Sequence, residues 1–488
     1  MTDKEESSSA GADNELHSQG LYVWQAENLL AATASLNSHW LPAAAQASNP
    51  TATVSVTSYR IATDTRTIKP GDIFLALSGE NFDGHDYINA AASKGAIAAI
   101  VERPVPSSIP QLVVSNARLA LGQLAAYRRQ QHKDLKVIAI TGSSGKTTCK
   151  EMLGSIFSRL APTLITRGNL NNDLGAPMML LELSDQHQYA IIELGANHIG
   201  EIAYTTEIVQ PDVACILNIG TAHLGEFGSR EGICQAKAEI YHTLSRDQYA
   251  IVPDNDDFTN QLRRIAETHS DHVLGFGSTD ISASHLEVEP ERSEFKLHIG
   301  NEGHDITLPL AGEHNVNNAL AAAACAHALG VSAADIVIGL ESARPAKGRL
   351  NSQLLGMHRL IDDTYNANPH SVRAAAKVLA AQTGTRIMVL GDIAELGEAA
   401  VTEHQALGRS IAATDIDMLL CVGDFARFSV DGASEVGGIA AQAFSDKTAL
   451  LTYLQQYLQI HEARPCTVLF KGSRSAKMET LIEALLGE

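Results

Sequence analysis

The chain has 488 residues, with 36 Lys and Arg against 56 Asp and Glu, a formal net charge of −20. That balance excludes a phosphate-backbone partner, because nucleic-acid binding draws its affinity from clustered cations. An anionic small-molecule substrate remains open, provided that local positive groups meet it. The length suits about three domains, each able to bury its own core. The six cysteines, Cys149, Cys215, Cys234, Cys325, Cys421 and Cys466, are scattered without a C-x-x-C pair, as in reduced cytosolic thiols rather than a disulfide frame or a zinc site.

In chain order, residues 1–20 are acidic and Ser-rich, with neither the basic start nor the apolar stretch of a signal peptide. They read as a disordered tail. Residues 22–41 are expected to be helical, and 42–53 form an Ala/Ser/Pro linker. From Val54 to about Leu135, short strands are expected at 73–77, 98–101 and 112–114 between Ala-rich helical runs, a compact α/β unit.

Residues 136–150, KVIAITGSSGKTTCK, read as a buried strand running into a phosphate-gripping loop and then a helix. Val137, Ile138, Ala139 and Ile140 form a short apolar run, as in a parallel strand covered on both faces. Gly142 and Gly145 let the backbone turn tightly, so that N–H groups of the loop, Ser143 and Ser144 included, point at one anion. Lys146 offers a charge to the β/γ-phosphates and Thr147, followed by Thr148, a hydroxyl to the accompanying Mg²⁺. A helix starting there adds about half a positive charge. The spacing G-x-x-G-K-T-T is shorter than G-x-x-x-x-G-K-[ST], and an ordinary Gly-rich βα turn is the plain alternative. The order of strand, loop, Lys and Thr favours nucleotide binding.

Further strands are expected at 190–194, 213–219 and 250–253, with helical patterns between most of them, which argues for βαβ units and a largely parallel sheet. The alternating stretch 281–310 suggests an antiparallel edge or hairpin before a helix at 314–329. The apolar stretch 319–340 is interrupted by His327 and Asp335 and reads as a buried helix plus a second short one, not a membrane span. A third unit begins near Leu350, with strands at 386–390, 418–422 and 466–470, each ending in Gly or Lys-Gly, where open α/β sheets place ligands.

Glu193 ends the strand AIIEL and is followed by a Gly-containing turn, the position of a metal-binding acid. His223 follows another apolar strand in NIGTAHLGEFG. A neutral imidazole there can ligate a divalent ion, although Mg²⁺ prefers oxygen and a lone His is more often structural. Lys237, in CQAKAEIY, reads by default as a solvated surface lysine. Arg344, Lys347 and Arg349 in ARPAKGRL form a basic cluster that suits either a phosphate or an interdomain linker. IDDTYNANPHS then crowds Asp362, Asp363, Tyr365, Asn366 and Asn368 into a turn closed by Pro369.

These motifs together resemble the Mur ligase family, from about Thr63 to Met478. The likeness is carried by TDTRTIKPGDIFLALSGENFDGHDYINAAASKGA, TGSSGKTT, GNLNNDLGAP, ELGANHIGEI, NIGTAHLGEFGS, AGEHNVNNALAA, DDTYNANPHS, VLGDIAELG and KGSRSAKME. YNAN, LGDIAELG and KGSR are similar to the dipeptide-adding branch. The resemblance implies an α/β chain of three domains: an N-terminal UDP-sugar-binding domain over 21–135, a central P-loop ATPase domain with a mostly parallel sheet over 136–345, and a C-terminal Rossmann-like ligase domain over 346–488. It implies that D-alanyl-D-alanine is ligated to UDP-N-acetylmuramoyl-tripeptide at the expense of ATP, through an acyl phosphate, in a cytoplasmic monomer without nucleic acid or membrane insertion.

Residue by residue, the resemblance gives Thr65, Arg66 and Asn81 to the uridine diphosphate, and Asn169 and Asn172 to the sugar-peptide. Lys146 and Thr147 serve the ATP phosphates and a first Mg²⁺, with Glu193 as a further ligand and His223 at a second Mg²⁺. Lys237 matches the family's carbamylated lysine, whose carbamate oxygens suit Mg²⁺ better than an ammonium. Asn315 approaches the adenine, and Arg349 and Asp363 reach the nucleotide from the C-terminal domain. Lys146, Glu193, His223 and Lys237 are the catalytic set so implied. A folylpolyglutamate synthase-like ligase and a non-ligating nucleotide-gated binding protein are the competing readings.

Overall fold

The computed structural model describes residues 21–43, 54–221 and 224–487. The tail 1–20, most of the linker 42–53, and His223 lie outside the described residues. The chain divides into two compact units. One runs as far as Val137 and adds Ala161–Leu194 and Tyr204–Gln210; the other takes Ile138–Leu160, Gly195–Ala203 and Pro211–Glu488.

The first unit is built on a five-stranded sheet in the order His39–Leu41, Gln111–Val113, Ala98–Val101, Ile73–Leu75 and Ile61–Ala62. It is parallel except for its His39–Leu41 edge. Ala98–Val101 is wholly buried, as a strand covered on both faces requires. Helix Ala117–Gln131 is capped by Asn116, whose Oδ1 accepts the Leu119 N–H at 2.8 Å. The helix expected over 22–41 is instead strand Trp24–Gln25, helix Ala26–Ala32, a 3₁₀ turn at Ala34–Leu36 and strand His39–Leu41. Asn37 takes a left-handed φ of 54°, a conformation Asn tolerates and a helix cannot continue through. The chain thereby turns back to pair with Gln111–Val113, and the Trp40 indole N–H donates to the Ala26 carbonyl at 3.2 Å. The same unit also pairs Thr163–Ile165 with Tyr189–Glu193 in parallel.

In the second unit, strands Lys136–Thr141, Val213–Ile216, Tyr249–Pro253, His272–Gly277 and Ile281–Val288 pair in parallel in that order. Ser293–Ile299 and Glu302–Leu308 continue antiparallel, as the alternation over 281–310 predicts. Helix Glu313–Ala328 packs on the phosphate-loop helix Lys146–Phe157. Its run from Ala319 to Ala326 is buried, small side chains allowing close approach to its neighbours. Among the described residues, no helix is long and apolar enough to cross a membrane.

The remainder of this unit is a six-stranded sheet ordered Asn351–Leu355, His358–Asp363, Cys466–Lys471, Thr385–Gly391, Met418–Val422 and Ala440–Phe444. Only the first hairpin is antiparallel. Asp363, Lys471, Gly391 and Val422 therefore end on one edge, the ligand edge of an open α/β sheet. Helices Ala400–Ala412 and Ala426–Val436 flank it in close contact through Gly408 and Gly432. A Cβ on Gly408 would overlap the Ser429 carbonyl oxygen, and one on Gly432 the Gln405 carbonyl oxygen. Gly432→Val is accordingly expected to lower unfolding free energy by about 3 kcal/mol, read as a fall in denaturant midpoint; an unchanged midpoint would show that the helices part without cost.

Candidate active site

Strand Lys136–Thr141 delivers the chain to a loop that turns at Gly145, where φ is +82°, and helix Lys146–Phe157 begins on the next residue. A Cβ at 145 would also overlap the Asn318 amide oxygen, so glycine is required by conformation and by space. The loop is shaped by Asn218, just beyond strand Val213–Ile216. Its carbonyl accepts the Ser143 N–H at 3.1 Å and its Oδ1 the Ser144 N–H at 3.0 Å, while its Nδ2 donates to the Ser144 carbonyl at 3.1 Å. The Ser143 hydroxyl accepts the Gly220 N–H at 2.9 Å. Lys146 Nζ donates to the Gly142 carbonyl at 2.7 Å. Thr147 is buried and Thr148 half-buried on the first helical turn.

Asn315 and Asn318 are buried one turn apart on helix Glu313–Ala328. Asn315 Nδ2 donates to the Ala311 carbonyl at 2.8 Å, and its Oδ1 lies 3.4 Å from Asn318 Nδ2. Sequence reasoning singled out Asn315 but missed Asn318 and Asn218. The i, i+3 spacing of the two helical asparagines, which puts them on one face, was the available signal for Asn318. No local signal marks Asn218, whose role depends on the pairing of two strands.

Lys237 overturns its reading as a solvated lysine. Helix Arg230–Ala238, capped by Ser229, turns Ile233, Cys234, Ala236 and Lys237 inward, leaving Lys237 2% exposed. Its backbone carbonyl accepts the Glu239 N–H, but among the described residues its amine has no hydrogen-bond or ion-pair partner. Burial, followed by the charge of Lys146, holds its amine well below the ordinary lysine value. Two residues on, buried Glu239 serves structure: its carboxylate accepts the Gly200 and Ala203 N–H groups at 2.7 and 3.0 Å.

The C-terminal sheet contributes Arg349, whose Nη2 lies 3.3 Å from Thr147 Oγ1 and whose guanidinium stands 4.7 Å from the Tyr365 ring centroid. Of the basic cluster, Arg344 instead donates to the Ala343 carbonyl. Asp363 is buried against Lys471, Oδ2 to Nζ 2.6 Å, and Lys471 also donates to the Asn366 carbonyl at 3.1 Å. Burial raises the Asp363 carboxyl and lowers the Lys471 amine, each offset in part by the other's charge. Lys471, in KGSR, is a further residue that sequence reasoning passed over. An acidic protein thus gathers Lys146, Lys237, Arg349 and Lys471 within one unit, the positive surroundings an anionic substrate needs.

The first unit holds the other expected residues. Glu193 is buried at its strand end; its Oε1 accepts Asn171 Nδ2 at 2.8 Å and its N–H is bonded to Thr166 Oγ1 at 3.0 Å. Asn169 and Asn172 are exposed nearby in sequence, Asn172 Oδ1 accepting the Gly175 N–H at 2.8 Å. Thr65 and Arg66 lie in a 3₁₀ turn capped by Asp64, and the exposed Arg66 guanidinium pairs with that aspartate at 2.7 Å. Asn81 is exposed in the turn between Ser78–Gly79 and Phe82–Asp83. The side chains bonded to Glu193, Asn171 and Thr166, are not among these five residues. Among the described residues, no group of three or more His, Cys, Asp or Glu is arranged to hold a metal.

The phosphate loop, the two sheets of the second unit and the five-stranded sheet of the first define a three-domain α/β P-loop protein. Three family models match it: "Mur ligase family, catalytic domain" over residues 57–129, "Mur ligase middle domain" over 140–326, and "Mur ligase, glutamate ligase domain" over 348–474. The chain belongs to the Mur ligase family. It is 44% identical over 436 residues to the UDP-N-acetylmuramoyl-tripeptide--D-alanyl-D-alanine ligase of Escherichia coli (strain K12), covering 88% of this chain and 94% of that one. Among solved structures, MurF from Acinetobacter baumannii is 52% identical with a TM-score of 0.89, covering 96% of this chain and 100% of that one. MurF ligase from Thermotoga maritima, solved in complex with ADP, is 27% identical with a TM-score of 0.77, covering 88% and 97%.

His314, beside Asn315, is held down to about 4 by burial and then by the positive fields of His370, Lys471 and Lys377. Its folded value lies below the unfolded value of 6.5, so the unfolded chain binds the extra proton between those limits and stability falls as pH drops through that window. Denaturation at pH 4.5 and pH 7 is expected to show a loss on acidification that is about 1–3 kcal/mol smaller in His314→Gln; equal losses in both proteins would place the acid sensitivity elsewhere.

Proposed function

We propose that this chain adds D-alanyl-D-alanine to UDP-N-acetylmuramoyl-tripeptide at the expense of ATP, forming the pentapeptide precursor of peptidoglycan. The observation that carries the reading is the likeness, over most of both chains, to ligases of that specificity. The cation-rich phosphate loop supports it independently. In the reaction, the tripeptide's terminal carboxylate attacks the γ-phosphorus and ADP leaves, giving an acyl phosphate. The dipeptide's amine then attacks the acyl carbon, phosphate leaves, the amine loses a proton, and an amide remains. Phosphoryl transfer needs chiefly positioning and charge neutralisation.

On this reading, with the Ser143 and Ser144 N–H groups held by Asn218, the N–H groups at the helix start, 145–148, face the phosphates, and Lys146 and Arg349 neutralise them. Asn315 is assigned to the adenine side. Asp363, held by Lys471, orients the nucleotide from the C-terminal sheet. Thr65, Arg66 and Asn81 are assigned to the uridine diphosphate, and Asn169 and Asn172 to the sugar-peptide. Three domains at 21–135, 136–345 and 346–488, acting in a cytoplasmic monomer, complete the assignment.

For Mg²⁺ the fit rests on donor chemistry. Thr147 offers a hydroxyl and Glu193 a carboxylate, and His223 is assigned on the family pattern. Lys237 as an ammonium offers no lone pair. Burial lowers the basicity of its amine, which favours the neutral form that adds to CO₂, forming a C–N bond and releasing a proton, to leave a carbamate with the hard oxygens that Mg²⁺ takes. Bound Mg²⁺ would supply charge neutralisation at the β/γ-phosphates.

Phosphate release is expected only when ATP, the UDP-linked tripeptide and D-alanyl-D-alanine are all present. Turnover with ATP alone would point instead to a nucleotide-gated binding protein, and turnover with a folate and glutamate to a different ligase. Lys237→Ala is expected to lose on the order of 100-fold in kcat, with partial recovery in bicarbonate or a short carboxylic acid; a fully active variant would remove Lys237 from the site.

A further inference from the structure

IDDTYNANPHS was read from sequence as a polar turn closed by Pro369, and the reaction as described gives Asn368 no part. Asn368 is the N-cap of helix Pro369–Ala380. Its Oδ1 accepts the Ser371 N–H at 2.9 Å, and the Ser371 hydroxyl accepts the Asn368 N–H at 3.0 Å in a reciprocal capping box. The other half of the amide is turned outward: Nδ2 donates to the Ser143 carbonyl of the phosphate loop at 3.1 Å, 225 residues away in sequence. One residue beyond Pro369, His370 Nδ1 lies 3.3 Å from the Ser144 hydroxyl.

The peptide joining Ser143 to Ser144 is consequently held at both ends. Its carbonyl is bonded to Asn368, from the C-terminal sheet's first helix, and its N–H to Asn218 Oδ1, from the strand beside the loop. Rotation of this peptide plane by half a turn would break both bonds and redirect the chain entering Gly145 and Lys146, so its orientation sets where the rest of the loop points its N–H groups. Asn218 alone holds the N–H end. The carbonyl end is fixed only while the C-terminal sheet is docked. We infer that Asn368 is a positioning residue for the phosphate donor, orienting the Ser143–Ser144 peptide so that docking of the C-terminal sheet sets the geometry of the nucleotide loop. The inference rests on the ligase reading for its reaction, but not for its nucleotide contact.

A two-part amide allows the two jobs to be separated. Asn368→Asp and Asn368→Ser both keep an oxygen able to cap the helix and both lose the donor to Ser143. Ser371→Ala removes a partner in the capping box and leaves that donor in place. In the full chain, ADP affinity measured by calorimetry and the ATP KM for phosphate release are expected to weaken on the order of tenfold in both Asn368 variants, with melting temperatures near that of the parent protein. Ser371→Ala is expected to lower the melting temperature while leaving ADP affinity unchanged. Parental ADP affinity in Asn368→Ser would overturn the inference, since a loss confined to Asn368→Asp would reflect its charge. Equal loss of affinity in Ser371→Ala would overturn it too, by reducing Asn368 to a helix cap. Should the parent protein release no phosphate with the ligase substrates, the ligase reading falls, and the ADP comparison still decides the role of Asn368.

Discussion

The structure around the nucleotide loop depends on keeping positive charge out of water. Lys146 and Lys237 lie within each other's field, and Lys237 is almost wholly buried without a carboxylate beside it. A lone buried ammonium would cost several kcal/mol, and the group avoids this by becoming a weak base. An acidic chain thus gathers Lys146, Lys237, Arg349 and Lys471 within one unit, buried or half-buried.

Two rigid frames meet at this loop within the second unit. The parallel sheet brings Asn218 and the loop's own strand together, and helix Glu313–Ala328 sets Asn318 against Gly145. The six-stranded sheet contributes Arg349 to Thr147 and Asn368 to Ser143. The buried Asp363–Lys471 pair ties two adjacent strand ends on the same sheet. Such a pair is weak evidence for stability, because desolvation offsets much of the attraction. Its evident effect is to hold the TYNAN turn, since Lys471 also donates to the Asn366 carbonyl.

Much of the fold was legible in local pattern. The apolar runs at 98–101 and 418–422 are strands with those bounds, because a strand buried on both faces has no polar position to blur its limits. The phosphate loop was legible because glycine, lysine and threonine must each stand at a fixed place. The 22–41 stretch misled because a left-handed Asn37 and the pairing of His39–Leu41 across the sheet outweigh helical periodicity. Lys237 misled for a related reason: one lysine on a short amphipathic helix looks solvated until the face that carries it is known to be covered.

The sequence by itself determined where the nucleotide loop lies, many of the strands and helices though not those of 22–41, and, through nine ordered motifs, the family. These depend on periodicity, turn chemistry and residue type, which act over a few positions. Only the tertiary structure decided that Lys237 is buried, that Asn218 and Asn318 shape the loop, that Lys471 meets Asp363 across 108 residues, and that Asn368 reaches Ser143. Each of these depends on strand order and helix docking, and the free energy that sets them comes from burial summed over whole sheets, which no local stretch of sequence contains.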